Sequence, residues 1–310
     1  MSKNTFDPDK RMSPPGLPPH LADAIDPSTP PTGVPVPRVS RSFELGDMKI
    51  TSLLDVTGLQ KDPKSEYAKD VPQAEFSKVS KENFLSEDEL QFFITPTLID
   101  TGKEKVLIDA GMGKGGLNTS LAEADVSPES IDVVVITHMH PDHIGGLMTD
   151  GRPTFPNARY VAGAKEYDFW KNMPADNFPA KLVSMMFTPL APQTTFIGGG
   201  DAAVSGITAI DSFGHSPGHL CFMLESNNQQ MMLTADLANH YVWSFAKPDW
   251  AFGFDGDPDA ASVSRRQVLG MLAAEKVPMI GYHMPFPGVG FVENRDDGFR
   301  FVPTTYQMHQ

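Results

Sequence analysis

From Ser42 onward, apolar and polar positions alternate in short runs of strand type. Residues 49–55, 92–100 and 105–109 are such runs, and Asp100-Thr101-Gly102-Lys103 has the composition of a hairpin turn. Residues 117–124 predict a helix. Residues 131–137 are continuous and β-branched, the pattern of a strand covered on both faces. Further strands are predicted at 206–211, 220–224 and 230–236, and residues 259–275 have helical spacing with Val263, Val268, Leu269 and Leu272 apolar. Strands in two groups, each flanked by helical segments, predict two sheets packed face to face with helices outside.

The first forty residues have a different texture. Ten of the 28 prolines fall between Pro8 and Pro37, which removes backbone donors and favours extended polyproline conformation. Residues 1–40 are therefore expected to form an arm, and residues 41–310 one domain. Of the 310 residues, 40% are apolar and 21% charged, enough of each for a soluble protein with a sizeable core. The net charge, 25 − 39 = −14, repels phosphate backbones and anionic membrane surfaces, so neither nucleic acid nor membrane is an expected partner. No stretch approaches the ~18 apolar residues of a membrane span, and no apolar leader opens the sequence. The expected location is the cytoplasm, or the periplasm or exterior if a leader has been removed. Cys221 is the single cysteine, so any metal must be held by histidines and carboxylates.

Nine histidines are present, and three fall within six residues of the stretch Thr137-His138-Met139-His140-Pro141-Asp142-His143-Ile144-Gly145-Gly146. The two-residue period of a strand puts His138 and His140 on one side, within reach of one ion. Pro141 halts the extended segment and suits the first position of a helix, which turns Asp142 and His143 toward a second, adjacent position. Gly145 and Gly146 let the backbone turn tightly beside the ions. Three later segments, Gly214-His215-Ser216-Pro217-Gly218-His219, Thr234-Ala235-Asp236 and Gly281-Tyr282-His283-Met284-Pro285, each place a ligand type where a strand gives way to a loop.

With these residues in this order, the sequence resembles the metallo-β-lactamase superfamily over roughly residues 42–305. The resemblance rests on His138-Met139-His140-Pro141-Asp142-His143, Gly214-His215, Asp236 and His283. It implies an α/β fold, the αβ/βα four-layer sandwich, with two metals in a cleft at one edge of the sheets. It also implies that His138, His140 and His215 hold one ion, that Asp142, His143 and His283 hold the other, and that Asp236 bridges both. Within the superfamily the chain is most similar to the methyl parathion hydrolase type. That similarity includes Gly145-Gly146-Leu147-Met148, Asp168-Phe169-Trp170, Phe286-Pro287-Gly288-Val289-Gly290 and Arg300-Phe301-Val302-Pro303. The arm and residues 239–257, where a substrate would sit, are less similar. A homodimer is implied by the resemblance alone.

A pair of divalent ions lowers the pKa of a bound water from 15.7 toward ~7 and polarises a P=O or C=O oxygen. The inferred ligands thus predict hydrolysis by a metal-bound hydroxide, with Asp142 and Asp236 as the catalytic carboxylates. Imidazole and carboxylate donors suit Zn2+ first, with Mn2+, Co2+ or Fe2+ as alternatives. The expected substrate is a small neutral ester, whether phosphotriester, lactone or aryl ester. The alternative is an N-acyl homoserine lactonase acting on quorum signals; β-lactamase and thioester hydrolase activities rank below it. A diiron oxidoreductase is disfavoured because such relatives carry an acidic residue where His140 stands, and a non-catalytic metal-binding protein because all seven ligands are present.

Aromatic residues crowd the segments expected to flank the metals. Trp170, Tyr241, Trp243, Phe245 and Phe286 are expected to line the substrate pocket, and residues 241–254 to form its apolar wall or lid. His219 and His240 are expected to stand behind the ligands, His219 by hydrogen bonding and His240 there or in the cleft wall. Cys221 reads as a small buried hydrophobe, and Ser264-Arg265-Arg266 as an exposed helix face.

Overall fold

The computed structural model describes residues 38–174 and 176–304, so nearly all of the expected arm lies outside the described residues. Two seven-stranded sheets carry the fold. The first, in spatial order, consists of β1 (Ser40–Leu45), β2 (Met48–Leu53), β5 (Thr97–Asp100), β6 (Lys105–Ile108), β7 (Val133–Ile136), β10 (Arg159–Gly163) and β11 (Thr194–Ile197). The second consists of β12 (Ala202–Val204), β13 (Ile207–Asp211), β14 (Leu220–Ser226), β15 (Gln229–Ala235), β16 (Met279–Gly281), β17 (Val289–Arg295) and β18 (Gly298–Pro303). Two ribbons stand apart, β3 (Val56–Lys61) with β4 (Glu89–Ile94), and β8 (Met148–Thr149) with β9 (Arg152–Pro153).

Strand β7 shows why the layers form. Val133 and Val135 join Ile50, Val106, Phe222 and Leu233 in the core between the sheets, while Val134 and Ile136 pack outward with Leu107, Leu121 and Val183. Both faces are covered, which is the physical reason the stretch reads as an unbroken apolar run. On the far side of the second sheet, Cys221 and Met232 pack against Val268, Leu269 and Leu272 of the helix Pro258–Glu275. That helix has clear local signals. Asp257 caps it by accepting from Ala260 N at 3.1 Å, Pro258 occupies the first turn, and Lys276 ends it at φ 56°. Helices lie outside both sheets, and the result is the αβ/βα sandwich.

Three expectations need correction. The run 92–100 is two strands, because Pro96 supplies no N–H to a ladder; β4 pairs with β3, and β5 with β2 and β6. Val263 is exposed, off the buried face of its helix formed by Ala261, Arg265, Val268, Leu269 and Leu272. Arg265 falls on that face, and instead of an exposed cation it is a side chain with 1% exposure, donating to Leu237 O, Pro248 O and Asp255. Among the described residues, no helix is long and apolar enough to cross a membrane.

Candidate metal centre

All seven predicted ligands sit beyond the ends of strands at one edge of the sandwich. His138, His140, Asp142 and His143 follow β7, His215 follows β13, Asp236 follows β15 and His283 follows β16. As expected, Pro141 opens a helical turn, Pro141–Ile144, with His140 in extended conformation ahead of it. Gly146 is required by close approach, since a Cβ there would stand 2.0 Å from Ala110 O.

The side chains converge in two groups. His138, His140 and His215 form one, and Asp142, His143, Asp236 and His283 the other; within each, donor atoms lie no more than 4.8 Å from one another. Nδ1 of His140 and Nε2 of His215 are 3.0 Å apart. Asp236 lies between the groups, with Oδ2 3.3 Å from His215 Nε2, 3.9 Å from His138 Nε2 and 3.0 Å from His283 Nε2. Its Oδ1 is 3.1 Å from His143 Nε2.

Nitrogen and oxygen donors at these spacings suit two adjacent divalent ions. One observation tests that fit independently of the motif. His138 Nε2, His143 Nε2 and Asp236 Oδ1 are buried polar atoms without a hydrogen-bond partner, a costly condition unless something else satisfies them. All three point into the space that the two groups enclose.

A second layer of polar residues fixes the rings. Asp109 Oδ2 accepts from His143 Nδ1 at 2.8 Å and from Thr137 Oγ1 at 2.8 Å, and its Oδ1 accepts from Thr137 N. Asp255 faces His215 Nδ1 at 3.0 Å, and Phe93 O accepts from His283 Nδ1 at 2.8 Å. His219 Nε2 accepts the backbone N–H of Asp236 at 3.1 Å while its Nδ1 bonds Ser212, so it pins the chain beside the carboxylate, as its expected hydrogen-bonding role requires. For His143, His215 and His283, a partner on Nδ1 orients the ring so that Nε2 is the nitrogen aimed at the centre.

The electrostatics follow from burial and from charges at close range. Burial and the neighbouring His215 push His140 down to about 3. Burial also opposes the His215 cation, but Asp236 and Asp255 prevail and raise that ring to about 9. Burial works against the Asp142 carboxylate, yet His143 and His283 hold it down at about 2.

The expected pocket residues divide. Phe245 is fully buried against Phe301 in the core of the second sheet's outer face, so it lines no pocket. Trp170 is buried with its indole N–H on Glu166 and its ring edge-on to His140 at 6.1 Å, which makes it a support for that ligand. Trp243 bonds Ser80 Oγ and stacks on His240 at 3.9 Å. Tyr241 and Phe286 are partly exposed, and Tyr241 and Trp243 border a cavity shared with His240. Of residues 241–254, Phe252 lies over His215 with ring centroids 6.1 Å apart, and Phe254 is exposed.

Sequence reasoning missed three buried carboxylates, Asp109, Glu166 and Asp255. Asp109 had a signal, since it ends a strand with a carboxylate just as Asp236 does. Glu166 and Asp255 had none, because the ligand loops they join, at Met139, Ser216 and Gly218 for Glu166 and at His215 for Asp255, are distant in sequence.

Residues 91–282 match the metallo-beta-lactamase superfamily. In structure, the chain is similar to AidC, a dizinc quorum-quenching lactonase in complex with a product, N-hexanoyl-L-homoserine. The TM-score is 0.82, with 28% identity over 87% of this chain and 99% of AidC. It is also similar to AbOPH, a hydrolase of the beta-lactamase superfamily, with a TM-score of 0.79 and 25% identity over 86% of this chain and 98% of that one. An atrochrysone carboxyl ACP thioesterase of Claviceps purpurea is 29% identical over 143 residues, 45% of this chain and 38% of the thioesterase. The chain covers 18% to 38% of the length of the curated sequence relatives, the thioesterase among them. The match over 91–282, together with the paired donor groups at the sheet edge, leads to one conclusion: the chain belongs to the metallo-beta-lactamase superfamily.

Proposed function

We propose that the protein is a dinuclear metal hydrolase of small neutral esters, with lactones as its leading substrate class and phosphotriesters second. The observation that carries this reading is the meeting of two donor groups at Asp236. The lactone preference draws on the likeness to AidC, which extends over nearly the whole of that chain, and the phosphotriester reading draws on AbOPH. The net charge of −14 favours neutral substrates over polyanions.

In this assignment His138, His140 and His215 would hold one ion and Asp142, His143 and His283 the other, with Asp236 available to both. When bound, two such ions acidify water and polarise a carbonyl or phosphoryl oxygen; zinc suits the donors best, ahead of manganese, cobalt and iron. The remaining steps belong to the chain. Asp142 is the ligand carboxylate whose side chain keeps 21% exposure. It accepts the proton that the attacking water loses as the new C–O or P–O bond forms. It returns that proton to the leaving oxygen as the ester bond breaks. Asp236, almost fully buried and hydrogen-bonded by Asn239 Nδ2 at 3.1 Å, is held too rigidly for this exchange and serves to fix the spacing of the centre.

The test is metal analysis of natively purified protein, coupled to a panel of lactone, phosphotriester, aryl ester, thioester and β-lactam substrates. The expected result is two equivalents of divalent ion and turnover of neutral esters that chelation abolishes and zinc or manganese restores. Undiminished turnover in exhaustive chelator, or a thioester turned over far faster than every ester, overturns it.

A further inference from the structure

His240 lies four residues past Asp236, and the metal assignment leaves it unused. Its Nδ1 accepts two backbone N–H groups, those of Val242 and Trp243, each at 3.2 Å. A nitrogen receiving two protons from outside carries none of its own, so the neutral ring bears its hydrogen on Nε2. Trp243 stacks on one face with centroids 3.9 Å apart at 20°, Tyr241 leans against the ring at 4.6 Å and Tyr67 approaches edge-on at 5.6 Å. The side chain is 4% exposed, and among the described residues its Nε2–H has no hydrogen-bond acceptor.

His240 lines a cavity of about 260 Å³ whose wall includes Phe84, Phe93 and Pro285 together with the polar Ser86, Glu89 and Gln91. Its wall touches one ligand, His283, on the Nδ1 side of the ring. Phe93 gives its carbonyl to His283 Nδ1, and Pro285 stands two residues beyond His283. The cavity wall mixes aromatic and aliphatic side chains with polar ones and includes an oriented donor, a form that can hold an apolar group and read one polar atom on it.

We propose that this cavity seats the apolar arm of the substrate and that His240 Nε2–H donates to an oxygen acceptor on that arm, such as an amide carbonyl beside the scissile ester. His240 is then a substrate-positioning residue, and the inference rests on the ester-hydrolase reading above. The donor is permanent. Burial depresses this imidazole to about 3, and protonating Nδ1 would break both backbone bonds.

Two lactones of equal length test this on the metal-loaded full chain, α-hexanoylamino-γ-butyrolactone and α-heptyl-γ-butyrolactone. Wild type is expected to favour the first, and His240→Phe, which keeps the ring stack, to lose roughly 10-fold in kcat/KM on it, mainly through KM, the scale of one neutral hydrogen bond. Turnover of the alkyl lactone should fall several-fold less than that of the amide lactone, and His240→Gln should recover part of the loss. Equal loss on both lactones, or no loss on either, overturns the proposal. A second readout needs no turnover. In 15N-histidine NMR, His240 should show a bare Nδ1 and a protonated Nε2 whose resonance moves when N-hexanoylhomoserine is added. A moving Nε2 signal without hydrolysis of any ester sinks the hydrolase reading alone, whereas a protonated Nδ1 or a static Nε2 signal sinks the role of His240.

Discussion

Asp255 Oδ1 accepts the Nδ1 proton of His215 at 3.0 Å, while its Oδ2 is held at 3.2 Å by Nη2 of the buried Arg265. The carboxylate therefore has two tasks, fixing the His215 tautomer and neutralising a cation that has no access to water. Arg265 adds bonds to Leu237 O and Pro248 O, which tie the helix Pro258–Glu275 to the loops beside the metals. Removing the carboxylate leaves the guanidinium charge uncompensated. Asp255→Ala should cost about 3 kcal/mol in urea unfolding and weaken ion binding on the His138, His140 and His215 side by roughly 10-fold or more. Asp255→Asn should retain more stability than Asp255→Ala yet still lose metal affinity. Chelator competition that gives wild-type affinity for both variants would remove this assignment.

Glu166 joins two ligand loops by a different route. Its Oε1 accepts from Met139 N at 2.9 Å and Trp170 Nε1 at 2.7 Å, and its Oε2 accepts from Ser216 Oγ at 2.7 Å and Gly218 N at 2.8 Å. Met139 lies between His138 and His140, and Ser216 follows His215, so a single buried carboxylate sets the distance between them. Glu166→Ala strands two buried backbone donors at about 1–3 kcal/mol each. The expected outcome is a fall in the urea midpoint together with loss of one equivalent of bound metal. A variant that is less stable but retains two ions would make Glu166 purely structural.

The contrast between these residues shows what a sequence exposes. His138, His140, Asp142 and His143 were legible because four donors share one strand end, where the two-residue period and Pro141 dictate their directions. Leu269 and Leu272 were legible by helical spacing. Arg265 has the same spacing, but its charge argues for exposure, and only the arrival of Asp255 from another loop makes its burial tolerable. Phe245 and Trp243, both placed in the pocket by the sequence, divide for the opposite reason: Phe245 is in the core and Trp243 borders a cavity. An aromatic residue near a site has equal claim to the core or the pocket, and the choice depends on neighbours such as Phe301 and Phe76, dozens of residues away or more.

Ion removal should register in stability as well as in activity. Without ions, the buried His138 Nε2, His143 Nε2 and Asp236 Oδ1 have no partner, and the folded state gains only when cations occupy the space between them. Added zinc at a hundredfold excess over its Kd should stabilise the stripped protein by about 2.7 kcal/mol, read as a rise in Tm. Magnesium, which prefers oxygen ligands and gives up water reluctantly, should do far less. A Tm that responds equally to both ions, or to neither, would argue against an imidazole-rich binuclear site.

His240 supplies a pH dependence of definite sign. Burial holds the folded imidazole at about 3, against about 6.5 in the unfolded chain. Between those values the unfolded state binds the extra proton, so stability rises with pH across the window and is lost as acid is added. Above pH 6.5 the group contributes no slope, since both states are neutral there. By pH 4 the accumulated loss is on the order of 3 kcal/mol. His240→Phe removes the titrating group while keeping a ring against Trp243, so its urea stability should fall less steeply than wild type between about pH 6.5 and 4. The two curves should run parallel above that range. Measured on metal-free protein, the comparison cancels the acid sensitivity of the ligand histidines, which both proteins share. Parallel curves through the acid window would mean that His240 protonates in place without penalty, and the closed environment drawn from Tyr67, Tyr241 and Trp243 would be wrong.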